Sequence, residues 1–190
     1  MSNSEKEHFM KKTLVIVDHP HFDRSVITRR WVEELQKYPD EFVVHKLQSS
    51  YPRGQIDPAM EHSLIDNNGT VVFQFPMYWF NCPPLLKQWF DQVLTSDWAF
   101  GKGHKLENRK MAIAFSCGSG ESDYSPEGKH HRSADDYLLP LVHSIEYCHA
   151  TFAGTYSFLG AANPEKATVE NIAESARGYV EFLRGIATAD

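Results

Sequence analysis

Apolar runs alternate with segments of helical period along this chain. Thr13-Leu-Val-Ile-Val-Asp18 stays apolar from Leu14 through Val17, as expected of a strand buried on both faces. Ser25 to Lys37 places Ile27, Trp31 and Leu35 on one stripe, the pattern of an amphipathic helix. Glu41-Phe-Val-Val-His-Lys-Leu47 alternates enough to predict a second strand. Pro58 opens a short helix ending near Asn67-Asn68-Gly69, residues that favour a C-terminal cap. Thr70-Val-Val-Phe-Gln-Phe75 predicts a third strand, stopped by Pro76. Pro83-Pro84 starts a helix with Leu86, Phe90, Val93 and Leu94 facing inward, and Lys110 to Phe115 reads as a fourth strand. Asp135 to Tyr147 reads as a helix whose start is blurred by Pro140. Thr151 to Phe158 is a fifth strand, and a last helix carries Ile172, Ala176, Tyr179 and Leu183 on one face. Such alternation predicts an α/β fold, a three-layer sandwich with a parallel sheet between helices. Five strands and five helices joined by right-handed crossovers suit the doubly wound strand order 2-1-3-4-5.

The 190 residues fit one domain, expected over 12–190, with the polar stretch 1–11 as a flexible extension. A hydrophobic fraction of 42% supplies a core. Nineteen Lys and Arg stand against 25 Asp and Glu, for a formal net charge of −6. That balance speaks against a general nucleic-acid binder but leaves room for a small basic pocket holding one anionic ligand. No apolar run approaches the roughly 20 residues that span a bilayer, and the N-terminus lacks a signal-peptide pattern. A cytoplasmic protein, not embedded in a membrane, is expected. Cys82, Cys117 and Cys148 are odd in number and not spaced as a metal knuckle, so reduced thiols are the plain expectation. The ten histidines form no HxxxH pair on a helix, and no metal site is expected. Aromatic residues, 13% of the chain, cluster in Phe73–Phe80 and Trp89–Phe100. A core accounts for part of them, and a planar ligand or a partner subunit for the rest.

Ligands of doubly wound sheets bind beyond the carboxyl ends of the strands. After strand one, His19-Pro-His-Phe-Asp-Arg-Ser25-Val-Ile-Thr28 runs into a helix. Free N–H groups and the dipole at that start can hold a phosphate. Ser25 and Thr28 can add hydroxyls there, and His19 and Arg24 charge. The same residues also suit a solvated loop with Asp23 or Ser25 as an ordinary cap. A GxxxxGK[ST] loop is absent. After strand three comes Pro76-Met-Tyr-Trp-Phe-Asn-Cys-Pro-Pro84, aromatic where polar turn residues are usual. Amides of Met77 to Phe80 could bond the edge of a flat ring while Trp79 or Phe80 packs beside it; a loop folded back into the core is the alternative. After strand four, Ser116-Cys-Gly-Ser-Gly-Glu-Ser122 would let backbone approach a ligand closely. Sharing one rim, the three loops suit a phosphate, a flat ring and that ring's polar edge.

These residues resemble the NAD(P)H:quinone oxidoreductases of the flavodoxin-like fold. That family includes DT-diaphorase and small bacterial ancillary subunits of glutathione-gated potassium efflux systems. The similarity runs from about Lys12 to Gly185. It is carried by the His19-Pro20 loop with Ser25, by Pro76-Met-Tyr-Trp-Phe with Pro83-Pro-Leu-Leu-Lys-Gln-Trp-Phe-Asp91, by Trp98-Ala-Phe-Gly101 and by the Gly118-to-Glu121 turn. The resemblance implies that His19, Ser25, Val26, Ile27 and Thr28 hold a flavin phosphate and ribityl chain. It implies that Met77, Tyr78, Trp79 and Phe80 lie against the isoalloxazine, and that Ser116, Cys117, Gly118 and Ser119 border its pyrimidine edge. Tyr124 and His130 match the catalytic pair over the ring, with His131 as a neighbour to which that role could slip. Tyr78 stands where a Gln is common, and Ser116-Cys-Gly-Ser119 where Thr-Thr-Gly-Gly is common. The implied cofactor is FMN, with FAD open, and NADH or NADPH the hydride donor. The expected acceptor is a quinone or another flat molecule. A homodimer is implied, with Trp89, Trp98 and Phe100 as candidates for its surface; the intramolecular core is the alternative for them, equally open for Trp89. Two other roles belong to the same kind of protein: an ancillary subunit docked on a potassium channel, and a one-electron carrier of the flavodoxin type.

Overall fold

The computed structural model describes residues 11–189; residues 1–10 of the expected extension lie outside them. Five parallel strands form one sheet in the order β2-β1-β3-β4-β5. They are β1 (Thr13–Val17), β2 (Phe42–Lys46), β3 (Val71–Pro76), β4 (Lys110–Cys117) and β5 (Thr151–Leu159). The helices are α1 (Ile27–Leu35), α2 (Leu47–Ser50), α3 (Pro58–Asp66), α4 (Pro84–Val93), α5 (Leu139–Tyr147) and α6 (Val169–Thr188). The expected α/β sandwich and strand order are therefore present.

Because side chains alternate across a strand, the central strands feed two cores. Leu14, Ile16, Phe73, Phe75, Ile113 and Phe115 face α3, α4 and α5, joined by the fully buried Leu86 and Trp89. Val15, Val17, Val72, Ala112 and Ala114 face α1 and α6, where Trp31, Leu35, Tyr179 and Leu183 pack. All five residues of β1 are buried, as are all six of β3. β5 is the half-buried edge.

Several boundaries differ from the sequence pattern, each for a physical reason. β3 ends at Pro76 as expected, but includes it as the last residue, paired with Ser116, because a strand end tolerates its missing donor. Ser116 and Cys117, expected in a loop, extend β4 beside β5. Leu47 leaves the strand to begin the four-residue α2, which alternation alone does not reveal. Asp135–Leu138 forms a 3-10 turn and α5 begins at Leu139 with Pro140 in its first turn, where proline's fixed φ is suited to helix entry. The end of α3 is held by side chains rather than by a left-handed residue. Asn68 Nδ2 donates to the Leu64 carbonyl at 2.8 Å, and one Arg109 guanidinium nitrogen donates to the carbonyls of Ile65, Asn68 and Gly69. Lys11 donates to the Asp66 carbonyl and Lys110 to that of Ala189. Cations thus answer the exposed carbonyls and negative dipole ends of α3 and α6 at the amino edge of the sheet.

Trp89 and Trp98 belong to the core, not to a partner surface: Trp89 is fully buried and Trp98 nearly so. Trp89 Nε1 donates to Glu61 Oε2 at 2.7 Å, and the Trp98 ring stacks on His62 with centroids 3.9 Å apart. Phe100 stays at the surface, half-buried at the edge of a groove between α4 and α5.

Candidate active site

β1, β3 and β4 are neighbours in the sheet, so the loops leaving their carboxyl ends meet. They enclose a cavity of about 280 Å³ lined by His19, Arg24, Ser25, Ile27, Met77, Tyr78, Cys117 and Gly118 among others. No carboxylate lines it among the described residues, whereas His19, His21 and Arg24 do. In a chain of net charge −6 the described lining is free of negative side chains and carries the Arg24 guanidinium.

The phosphate-type end is built by the start of α1. Ser25 Oγ accepts from the Thr28 amide at 3.1 Å, while the amides of Val26 and Ile27 have no acceptor among the described residues. Two N–H groups at a helix start, with the dipole behind them, favour an anion. His19 Nδ1 accepts from the His21 amide at 3.1 Å, which leaves the proton of the neutral ring on Nε2. Burial, reinforced by the neighbouring His21, holds the His19 pKa below the ordinary imidazole value. Thr28 is placed differently from Ser25: it is buried, and its carbonyl accepts from Gln74 Nε2 at 3.1 Å. It supports the rim from beneath and does not line the cavity.

The aromatic loop makes a tight reversal. Tyr78 and Asn81 exchange backbone hydrogen bonds at 2.9 and 3.0 Å, and between them Trp79 (φ 48°) and Phe80 (φ 62°) are both left-handed. Successive positive φ values are those of a type I′ turn, where Asn-Gly is preferred. The Met77 amide donates to the Ser116 carbonyl at 2.8 Å and that of Tyr78 to Asn81. These two amides are therefore spent inside the protein; those of Trp79 and Phe80 have no acceptor among the described residues. Trp79 is 94% exposed, and neither it nor Phe80 lines the cavity. Phe80 packs instead on Tyr137 (4.7 Å between centroids) and His130 (5.2 Å).

The turn after β4 is fixed from behind by a fourth loop that sequence reasoning missed. Gly160, Ala161 and Ala162 donate to the carbonyls of Ser119, Cys117 and Gly118, and Ala161 reaches the cavity wall together with His21 and Pro76. The small residues directly after the fifth strand were the available signal. A Cβ on Gly118 would meet only the Ala162 Cβ, at 3.4 Å. Gly118 also borders an adjoining cavity of about 510 Å³ that runs to Asn163 and Lys166. Ser119, Tyr124 and His130 lie beside the first cavity without lining it. Tyr124 lies against His130 with ring centroids 4.5 Å apart and the planes tilted by 31°, and its hydroxyl donates to Met77 Sδ at 3.7 Å. Burial, then contact with Cys117, raises the Tyr124 pKa and keeps the phenol protonated. His131 points away: it is exposed, and its Nδ1 lies 3.2 Å from the Pro126 carbonyl oxygen. Burial raises the thiol pKa of Cys82, Cys117 and Cys148, that of Cys82 to about 12, which makes all three poor nucleophiles at neutral pH.

Asp18 ties two of the loops together. Its Oδ2 accepts from the Leu86 amide and its Oδ1 from Gln48 Nε2, both at 2.8 Å. α4 opens on Pro83-Pro84 and has no side-chain cap of its own, so a carboxylate from the end of β1 serves an orphan donor there. Burial raises the Asp18 pKa above the usual carboxylate value, against the pull of those two hydrogen bonds.

The model of one family, Flavodoxin_2, described as having the flavodoxin-like fold, matches residues 11–183. This chain belongs to the Flavodoxin_2 family. Among family relatives, the uncharacterised NAD(P)H oxidoreductase YrkL of Bacillus subtilis is 37% identical over 171 residues, 90% of this chain and 98% of that protein. The potassium-efflux ancillary protein KefG of Cronobacter sakazakii is 33% identical over 138 residues, 72% of this chain and 74% of that one. The crystal structure of general stress protein 14 from Treponema denticola, in complex with FMN, superposes with a TM-score of 0.88 at 40% identity, covering 92% of this chain and 99% of that one. The chain is thus a family member similar to proteins named NAD(P)H oxidoreductases and to one that carries FMN. No helix among the described residues is long and apolar enough to cross a membrane.

Proposed function

We propose that this chain binds FMN and uses it to pass a hydride from NADH or NADPH to a quinone or a similarly flat acceptor. The observation that carries this is the single cavity into which three strand ends deliver a helix N-terminus, an aromatic loop and a glycine turn. The donor set fits a phosphate, and the space a Cβ would occupy at Gly118 fits the close approach of a ring. The FMN of the T. denticola relative supports FMN over FAD. When bound, the flavin supplies the two-electron chemistry that the side chains lack.

This chain's residues then divide the remaining work. The Val26 and Ile27 amides, Ser25, His19 Nε2 and Arg24 bind the phosphate. The Gly118 turn offers backbone donors where negative charge develops, an electrostatic aid in a partly dry site. Tyr124 stays protonated, and the His130 imidazole beside it offers a ring nitrogen for a hydrogen bond at the edge of the site. Met77 and Tyr78 keep water from one side of the slot.

The test is an absorbance titration of the purified chain with FMN, followed by NADH or NADPH with a soluble quinone and no reductase. A saturable spectral shift and quinone-dependent consumption of the nicotinamide are expected. No shift with excess FMN overturns the proposal. Uptake of FMN without nicotinamide consumption points to a one-electron carrier instead. The KefG relative favours a second role, an ancillary subunit docked on a potassium channel; co-purification with such a channel from membranes tests it. A homodimer belongs to the same proposal, across the groove of about 520 Å³ between α4 and α5 that Phe90, Leu94, Phe100, Leu141 and Tyr147 line.

A further inference from the structure

We infer that Tyr137 is a positioning residue: from the turn before α5 it holds His130 in place beside the cavity and braces the aromatic turn against it. The inference rests on the proposed part of His130 in the reaction. Tyr137 does not line the cavity, and nothing in the sequence pattern singles it out. Among the described residues it is the side chain outside both loops that touches both. Its ring stacks on Phe80 with centroids 4.7 Å and planes 29° apart. It meets Tyr124 edge-on at 6.0 Å and His130 edge-on at 6.4 Å. Its hydroxyl donates to the His130 carbonyl at 3.3 Å, a bond with one possible direction because a carbonyl oxygen only accepts.

The loop that carries His130 needs a hold at that end. Tyr124 anchors its start through Met77 Sδ, but Pro126, Glu127 and Lys129 lie at the surface. The backbone bonds of the loop stay local: the Gly128 amide donates to Ser125 at 3.0 Å and the His130 amide to Asp123 at 2.9 Å. They shape the loop without tying its end to the rest of the domain. From outside the loop, His130 meets the Tyr137 hydroxyl, the Ser119 hydroxyl at 3.0 Å and the edge of Phe80 at 5.2 Å. Phe80 sits in the left-handed turn, a conformation that persists only where its surroundings impose it. Stacking on Tyr137 supplies part of that constraint.

Tyr137 can serve as the fixed point because its own turn is tied down. Ser133 and Asp136 exchange amide-to-side-chain hydrogen bonds at 2.9 and 3.2 Å. The Thr155 hydroxyl, on β5, donates to the Asp135 carboxylate at 3.1 Å. The next residue, Leu138, is fully buried in the core. The position of the sheet edge is thereby passed to the imidazole through one phenol.

The experiment compares the wild type with Tyr137→Phe, His130→Gln and the double variant. Phenylalanine keeps the ring and its stacking, so only the bond to the His130 carbonyl is lost. The first readout is ¹H–¹³C NMR of the histidine-labelled chain without FMN, with His130 assigned by its loss in His130→Gln. The His130 signal should shift or broaden in Tyr137→Phe, while signals of histidines on other elements stay in place. The second readout is the rate at which NADH or NADPH bleaches the absorbance of bound FMN in the absence of oxygen. Tyr137→Phe should slow it roughly fivefold, well inside the cost of a misplacement of about 1 Å, with FMN uptake within about twofold. A side chain that serves only stability slows both backgrounds alike. A positioning residue has nothing left to position once the imidazole is gone, so in His130→Gln the same change should alter the rate by less than about 1.5-fold. An unmoved His130 signal, an unchanged rate in Tyr137→Phe, or equal losses in both backgrounds overturns the inference. Failure of the wild type to take up FMN overturns the proposed function instead, and the NMR of the ligand-free chain still decides whether Tyr137 holds the imidazole.

Discussion

Glu61 has no exposed surface, yet its two carboxylate oxygens accept from three side chains. Oε1 is shared by the Tyr51 hydroxyl at 2.6 Å and His45 Nε2 at 2.7 Å, and Oε2 takes the Trp89 indole at 2.7 Å. Burial pushes its pKa upward, but these hydrogen bonds together outweigh burial and hold it below the ordinary carboxylate value. A depressed folded pKa contributes stability that is fully present above the unfolded value, about pH 4.3, and is lost as pH falls through the lower folded one. Glu61→Gln replaces one acceptor oxygen by a donor facing another donor. It should lower unfolding free energy by roughly 2–4 kcal/mol at neutral pH and flatten the acid limb, measured by urea unfolding between pH 3 and pH 7. Equal stability of the two proteins at pH 7 would remove Glu61 from the list of stabilising groups. Nothing in the sequence announces this cluster, because its members lie on four separate elements and each looks ordinary in its own segment.

Among the elements, the strands were legible and the loops only partly so. An unbroken run such as Leu14–Val17 leaves no doubt about burial on both faces, and such runs, with the alternating β2 and the half-buried β5, define the sheet in alternation with helices. The positions of Ser25, Met77, Tyr78 and Gly118 follow from that alone, since each comes after a strand or at the helix that follows, whereas Cys117 is itself the last residue of β4. The conformation of Trp79 and Phe80 does not follow. Large aromatic residues rarely accept two consecutive positive φ values, and pattern analysis places no such turn there. This strain gives an expectation of its own. The double variant Trp79→Asn, Phe80→Gly fits the turn without cost and should raise the unfolding free energy by about 1–2 kcal/mol. The same change should weaken FMN retention severalfold, read by titration. Tighter FMN binding in the relaxed turn would show that the aromatic pair is not kept for the ligand.

For the whole molecule, the unresolved quantity in sequence was surface against core. In a linear reading Trp98 looks partner-facing and Trp89 fits surface or core equally; their loop and helix turn both inward. Tyr147 and Leu139, less conspicuous in the chain, are the large hydrophobic side chains left outside on α5, with Tyr147 69% exposed. Apolar surface beside a lined groove is the usual mark of an association site. If the proposed dimer forms across this groove, Tyr147→Asp should sediment as a monomer at micromolar concentration where the wild type sediments as a dimer, with little change in circular dichroism. A wild-type chain that sediments as a monomer would refute the dimer.

The rim that carries the cavity hangs from β1, β3 and β4, the three middle strands, with Asp18 linking the first to the start of α4. These parts come from residues far apart in the chain, so none of them can stay in place once the centre of the sheet separates. A ligand seated there must leave before the protein can come apart, and its presence raises the melting temperature by mass action: about 2.7 kcal/mol when it stands at a hundred times its dissociation constant.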